Sequence, residues 1–285
     1  FRFEDDPSEK YWHISTLQSL LDENWNSIEE GVTENREYLV AREKIFSSSV
    51  SQYFTDQKNR IIQESLDTDN SFQILGAYTC LLDSIVQTAF DYSFIDLPLI
   101  KERLLEELNN ELALKQKNLP EKKEKLNLLK KQIQEMKKDQ QSDPSASREY
   151  KYFQEIVIQH ENEVGKLEER IDELQHLIPD VENFLSEKQF VQAHLVIFAR
   201  GGYGRAELGL SSDRDLGYCL DTNRLNSGGA EMLRQLIIHI ETLLRLSGVE
   251  TAHQYFEIDE DLSRFNQVNT LHTIPSILES RVLLG

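Results

Sequence analysis

Apolar residues recur at helical spacing through the first third of the chain. Trp12, Ile14, Leu17, Leu20 and Leu21 are separated by acids and amides; residues 38–66 and 72–92 repeat the pattern, and residues 67–71 break it. Residues 8–97 are therefore expected to be helical. Within them residues 77–89 are apolar on most faces, the mark of a helix buried inside a bundle. No constellation of chemically active side chains stands out in this region.

The period changes after residue 98. Leu105, Leu108, Leu112, Leu119, Leu126, Leu129, Ile133 and Met136 fall on one 3-4 register, with Lys115 and Lys122 in its two gaps. After the polar stretch QQSDPSAS a second register runs through Tyr150, Phe153, Val157, His160, Val164, Leu167, Ile171, Leu174, Ile178, Val181 and Leu185. Two seams of this length joined by a short turn predict an antiparallel coiled-coil hairpin over residues 98–186. Pairing about the turn would set Leu126 near His160 and Leu112 near Leu174, in an arm on the order of 60 Å long. Two prolines interrupt the pattern. The phase continues across Pro120, which predicts a kink there, whereas Pro179, near the base, is expected to end the second helix. His160 on the seam reads as a hydrogen-bonded core histidine rather than a metal ligand.

From residue 187 onward short apolar runs alternate with glycine-rich breaks. Strands are expected at 195–199, 213–220 and 248–258, a turn running into a short helix at 201–208, an amphipathic helix at 231–246 after the break NSGG, and a closing helix at 275–284. The fold class is α+β, with a helical region (1–97), a coiled-coil hairpin (98–186) and a small domain with a mixed sheet (187–285).

Composition narrows the partners. Fifty acidic residues against 31 basic ones leave a net charge of −19, which repels a phosphate backbone and argues against nucleic acid as a general partner. No apolar run approaches the roughly 20 residues that cross a bilayer, and the start carries no basic-then-apolar leader. Cys80 and Cys219 form no motif, and two lone thiols suit a reducing cytoplasm. The chain starts at Phe1 and stops after an apolar segment, so it is expected to be a fragment of a longer protein.

The chemistry concentrates in HLVIFARGGYGRAELGLSSDRDLGYCLD. An apolar strand leads into a turn with Gly201, Gly202 and Gly204, and Asp213 and Asp215 then head a second apolar run. Alternation along a strand puts those two carboxylates on one face, where they can share a divalent cation. Glycines without a Cβ let backbone N–H groups approach phosphates, and Arg200 and Arg205 lie beside them. Arg205 would pair with a phosphate oxygen, or else with Glu207 or Asp213.

These residues resemble the polymerase-β-like nucleotidyltransferase superfamily, whose mark is a strand, a glycine turn and an acid-x-acid pair on the next strand. The string GGYGRAEL-x-x-x-SDRDL is similar to the uridylyltransferases that modify the signalling protein PII, where the pattern reads Gly-Gly-Tyr-Gly-Arg-x-Glu-Leu, three residues, then Ser-Asp-x-Asp-Leu. Leu210 stands where that family usually has proline. The closing TIPSILESRVLLG is similar to a helix of the same branch. The resemblance covers about the last hundred residues. It implies a Mg²⁺ (or Mn²⁺) site on Asp213 and Asp215, phosphate contacts from Gly201, Gly202, Gly204, Arg205 and Ser212, and transfer of a nucleoside monophosphate from a nucleoside triphosphate to an acceptor.

Many members of the superfamily carry a third acid on the following strand. Here that strand reads GVETAHQYFEIDED; His253 and Gln254 align with a His-Ser pair, and Glu250, Glu257 and Asp259 are acids without a matching position. The base is therefore unassigned. Two functions compete: a nucleotidyltransferase acting on a protein acceptor, or a weak or inactive module serving as nucleotide sensor or coiled-coil scaffold. In either, the arm would serve to hold a protein partner or to assemble a homo-oligomer. PII itself is a poor acceptor candidate, since the phosphohydrolase and ACT regions of its modifying enzymes have no counterpart here.

Overall fold

The structure is a computed structural model and describes residues 7–26, 35–67, 71–139, 146–206, 208–209, 214–258 and 280–284. It is mostly helical with one small sheet, an α+β arrangement. Among the described residues no helix is long and apolar enough to cross a membrane. The chain divides into two compact units, one joining residues 1–101 to 184–285 and the other spanning residues 102–183.

Helices α1 (Pro7–Asn26), α2 (Asn35–Asp67) and α3 (Ser71–Ile95) pack against one another in the first unit. Leu17, Phe46, Val50, Leu81, Leu82 and Ile85 are fully buried, each removing enough apolar surface from water to contribute about 1.5–3 kcal/mol. The apolar run in α3 is buried along nearly its whole length, as its sequence implies. Several polar groups inside this bundle are hydrogen-bonded. His13 shares a 2.6 Å hydrogen bond with the Tyr53 hydroxyl, and burial, followed by the nearby Arg60 charge, lowers its pKa to about 4.

In the second unit lie most of α4 (Leu97–Asp139) and α5 (Ala146–Glu182). Leu126, Val157 and Val164 form a buried cluster with Leu119, Leu129 and Ile133 packed on it. Ion pairs Lys122–Glu163, Lys123–Glu168, Lys130–Glu161 and Arg170–Glu111 cross between the helices. Rising positions on one helix meet falling positions on the other, so the two run antiparallel. His160 is half-buried beside Glu163. Helix α4 passes through Pro120 without interruption. Pro179 does not end α5, contrary to the sequence reading. The helix continues to Glu182, where the Asn183 backbone N–H and side-chain amide both donate to the Pro179 carbonyl, at 3.0 and 2.8 Å. The proline forfeits its own bond and crowds the Gln175 carbonyl, yet its own carbonyl still takes the Asn183 donors that close the last turn.

The rest of the first unit comprises α6 (Lys188–His194), β1 (Leu195–Ala199), α7 (Gly201–Gly204), β2 (Asp215–Asp221), a 3₁₀ turn (Thr222–Arg224), α8 (Ser227–Leu246), β3 (Ala252–Ile258) and β4 (Arg281–Leu284). The sheet order is β3-β2-β1-β4. β1 is antiparallel to β2 and β4, while β2 is parallel to β3, to which α8 is the crossover. Helix α8 starts at Ser227, earlier than expected. The Asn226 side chain accepts from Gly229 N–H at 2.8 Å, turning the NSGG break into an N-cap and first turn. The apolar face of α8 buries Met232, Leu233, Leu236, Ile240, Leu243 and Leu244, and the helix packs on α2, α3 and β2.

Of the closing helix expected at 275–284, residues 275–279 lie outside the described residues, and the rest departs from expectation. Residues 281–284 are a strand beside β1 rather than part of a helix, with Phe198 opposite Val282. The three apolar residues after Arg281 carry no periodicity that separates strand from helix, and pairing with β1 makes the segment a strand. β2 and β3 both begin later than the sequence implies, at Asp215 and Ala252.

Candidate functional site

β1 and β2 define the site's floor. Leu195, Ile197 and Ala199 pair with Leu220, Tyr218 and Leu216, and all six are buried on the helix-covered face. Alternation places Asp215, Gly217, Cys219 and Asp221 on the other face, where Asp215 and Asp221 are half-exposed. Phe198 covers the middle of that face. Its ring lies where a Gly217 Cβ would be, 2.3 Å from the nearest ring atom, so only glycine fits there. Cys219 is half-buried, and burial raises its thiol pKa.

At the mouth of this face the chain leaves β1 and turns. The Arg200 N–H donates to the Asp215 carbonyl at 2.9 Å, tying the turn to the head of β2. Gly201 takes φ +54° and opens the single turn of α7. A Cβ on Gly201 would stand 3.3 Å from Asp215 Oδ2, so the glycine corner and the carboxylate lie against each other. Gly202 and Gly204 are half-buried and Arg205 is exposed. The turn closes with Arg205 N–H on Gly201 O (3.1 Å) and Ala206 N–H on Tyr203 O (3.1 Å), leaving Ala206 at φ 58°.

Tyr203 points inward and is fully buried. Burial first, and then the neighbouring Asp83 charge, push its phenol well above its ordinary pKa. Asp83 is a buried acid on α3. It accepts from Arg281 of β4 at 2.5 and 3.1 Å, and the Arg281 guanidinium lies 6.0 Å from the Tyr203 ring centroid. Burial raises the Asp83 carboxyl while the guanidinium pulls it back, and the bidentate geometry is that of a carboxylate. Arg214 also points away from Asp215's face. It donates to the Tyr78 hydroxyl at 3.0 Å and the Glu250 carbonyl at 3.1 Å, with the Phe54 ring 5.5 Å from its guanidinium.

Of the residues expected at the site, the structure brings together Gly201, Gly202, Gly204 and Asp215, with Arg205 on the same turn. Ser212 and Asp213 lie outside the described residues, as does Glu207. His253 and Gln254 stand opposite Leu216 and Gly217 in the parallel register. Glu250 is exposed just before β3. Among the described residues no three His, Cys, Asp or Glu side chains gather as a metal site. Asp215 is a hard oxygen donor lying against the Gly201 corner, the ligand type that Mg²⁺ and Mn²⁺ take.

Sequence reasoning overlooked Tyr78, Asp83 and Arg281. One signal was present: Asp83 is the lone charged residue in the apolar stretch 72–90. Such a charge inside a buried helix requires a partner. Compared with known proteins, the chain has no significant match among protein-family models, curated proteins or solved structures.

Proposed function

We propose that this chain is a Mg²⁺- or Mn²⁺-dependent nucleotidyltransferase with a polymerase-β-like core, and that α4 and α5 form an antiparallel coiled-coil arm for a protein partner. The observation that carries the reading is the half-exposed Asp215 carboxylate set against the Gly201 corner. In the reaction an acceptor oxygen bonds to the α-phosphorus of a nucleoside triphosphate, the bond to the β-phosphate bridging oxygen breaks, and pyrophosphate leaves with the electron pair. A bound divalent ion supplies charge stabilisation for the attacking and leaving oxygens.

This chain's own residues have distinct tasks in that scheme. Asp215, with Asp213, would hold the cation. Gly201 and Gly202 would let backbone N–H groups approach the phosphates, while Arg205 and Ser212 would add a charged and a neutral donor. The negative surface and the lack of a basic groove in the sequence favour a protein hydroxyl as acceptor over nucleic acid.

Incubation with α-labelled nucleoside triphosphates, Mg²⁺ or Mn²⁺ and candidate acceptor proteins tests the proposal. Incorporation should fall at least a hundredfold in Asp213→Ala/Asp215→Ala, in line with the loss of a major electrostatic stabiliser. Transfer that survives the double substitution sinks the site.

The third acid left unassigned in the strand GVETAHQYFEIDED motivates a second reading, a nucleotide sensor without turnover. Calorimetry separates the two, since a sensor binds nucleotide while releasing no pyrophosphate.

A further inference from the structure

Both halves of the candidate site are tied to one helix outside it. Tyr78 and Asp83 sit five positions apart on α3, fully buried. Tyr78 receives the Arg214 guanidinium, and Arg214 is the residue between Asp213 and Asp215 in the chain. The Arg214 backbone carbonyl also accepts from Ala252 N–H at 3.1 Å, so this residue joins the head of β2 to the head of β3. Asp83 holds Arg281, whose guanidinium lies over Tyr203 at the centre of the Gly201–Gly204 turn. One rigid element thus reaches the acidic strand through Tyr78 and the glycine turn through Asp83.

We infer that α3 is part of the site's machinery, with Tyr78 and Asp83 as positioning residues that set the spacing between the glycine turn and the metal-binding strand. Neither touches Asp215 or the turn's outward backbone, so they act through Arg214, Arg281 and Tyr203. The inference rests on the transferase reading for its chemical meaning but concerns loop geometry, which is measured separately. The geometry explains why a buried acid is kept inside an apolar helix. Among the described residues that carboxylate holds Arg281 beneath the turn. Small displacements of such supports misplace reacting groups even when no contact to the ligand is lost.

The test uses the full chain and compares Tyr78→Phe, the paired Asp83→Asn/Arg281→Gln, Asp215→Asn and Phe46→Leu. The paired substitution removes both charges, because Asp83→Asn alone leaves the partly buried Arg281 guanidinium without its carboxylate and endangers folding. Phe46, a buried ring on α2 that packs on Tyr92, controls for general loss of stability.

Amide hydrogen exchange should rise about tenfold in residues 214–220 for Tyr78→Phe and in residues 201–206 for the paired variant, relative to Phe46→Leu. Affinity for Mn²⁺ with the α,β-methylene analogues of ATP and UTP should weaken about tenfold in both, the loss expected for one charged hydrogen bond. The conservative variant Asp83→Glu, with Arg281 intact, should keep most of the wild-type affinity. Exchange no faster than in Phe46→Leu overturns the inference. So does faster exchange with unchanged affinity in a protein whose affinity Asp215→Asn abolishes. Faster exchange in a protein that takes up no nucleotide, with or without Asp215, overturns the transferase reading while supporting α3 as the brace.

Discussion

Ala206 sits at φ 58° at the end of the Gly201–Gly204 turn. For an L-residue with a Cβ this conformation costs about 1–2 kcal/mol, and glycine avoids it at an entropic penalty of about 0.5–1 kcal/mol. Ala206→Gly should therefore raise stability by up to about 1 kcal/mol, read as a higher urea midpoint with an unchanged slope. Gly217 carries the opposite expectation. Its missing Cβ makes room for the Phe198 ring, so Gly217→Ala should destabilise by about 1–3 kcal/mol. Combined with Phe198→Ala, the two changes should be strongly non-additive in a double-mutant cycle. The motif's glycines were legible in the sequence as a turn. That Gly217 is a packing site was not, because the ring it accommodates comes from a different strand.

At the scale of elements, α4 and α5 show which interactions matter. Lys123–Glu168 and Lys130–Glu161 are pairs of half-exposed side chains in high dielectric. Lys123→Ala should change stability by no more than about 0.5 kcal/mol, and 1 M salt should do little more. Leu126→Ala removes a buried side chain from the cluster with Val157 and Val164 and should cost about 2–4 kcal/mol. Thermal unfolding followed at 222 nm ranks the two. Arg170 contacts Glu111 through two guanidinium nitrogens. Its hydrogen bonds to Glu111, both 3.0 Å, hold that carboxyl below the usual range. The 3-4 pattern announced these two helices because it repeats over many turns. β4 was missed because its four residues do not repeat at all.

At the scale of the whole molecule, buried polar groups join α2, α8 and the turn before α4. Arg42 pairs with Asp96 while stacking 4.1 Å over the Tyr92 ring, and His239 sits between Asp96 (3.3 Å) and Glu43 (3.4 Å). Burial opposes a charge on His239, but the hydrogen bonds and charges of Asp96 and Glu43 outweigh it and raise its pKa. Its stabilising effect is thus complete below about pH 6.5 and is lost as pH rises through the raised value. His13 works in the other direction. With a folded pKa of about 4 against roughly 6.5 unfolded, it contributes fully above pH 6.5, and that contribution disappears as pH falls toward 4. Urea midpoints across this window should drop less steeply in His13→Gln than in the wild-type chain, by on the order of 2 kcal/mol over the range. A parallel drop in both would remove His13 from the account.

Local pattern alone determined the long helices, the buried character of α3, the strand–glycine–acid order of the candidate site and the negative surface, since each of these follows from neighbours within a few turns of chain. Only the tertiary structure decided that α1–α3 and the sheet share one compact unit, that residues 281–284 extend the sheet, and that Tyr78 and Asp83 reach Arg214 and Arg281. The Tyr78–Arg214 and Asp83–Arg281 pairings join positions more than a hundred residues apart. Their energies come from burying charge against a partner that no local window contains.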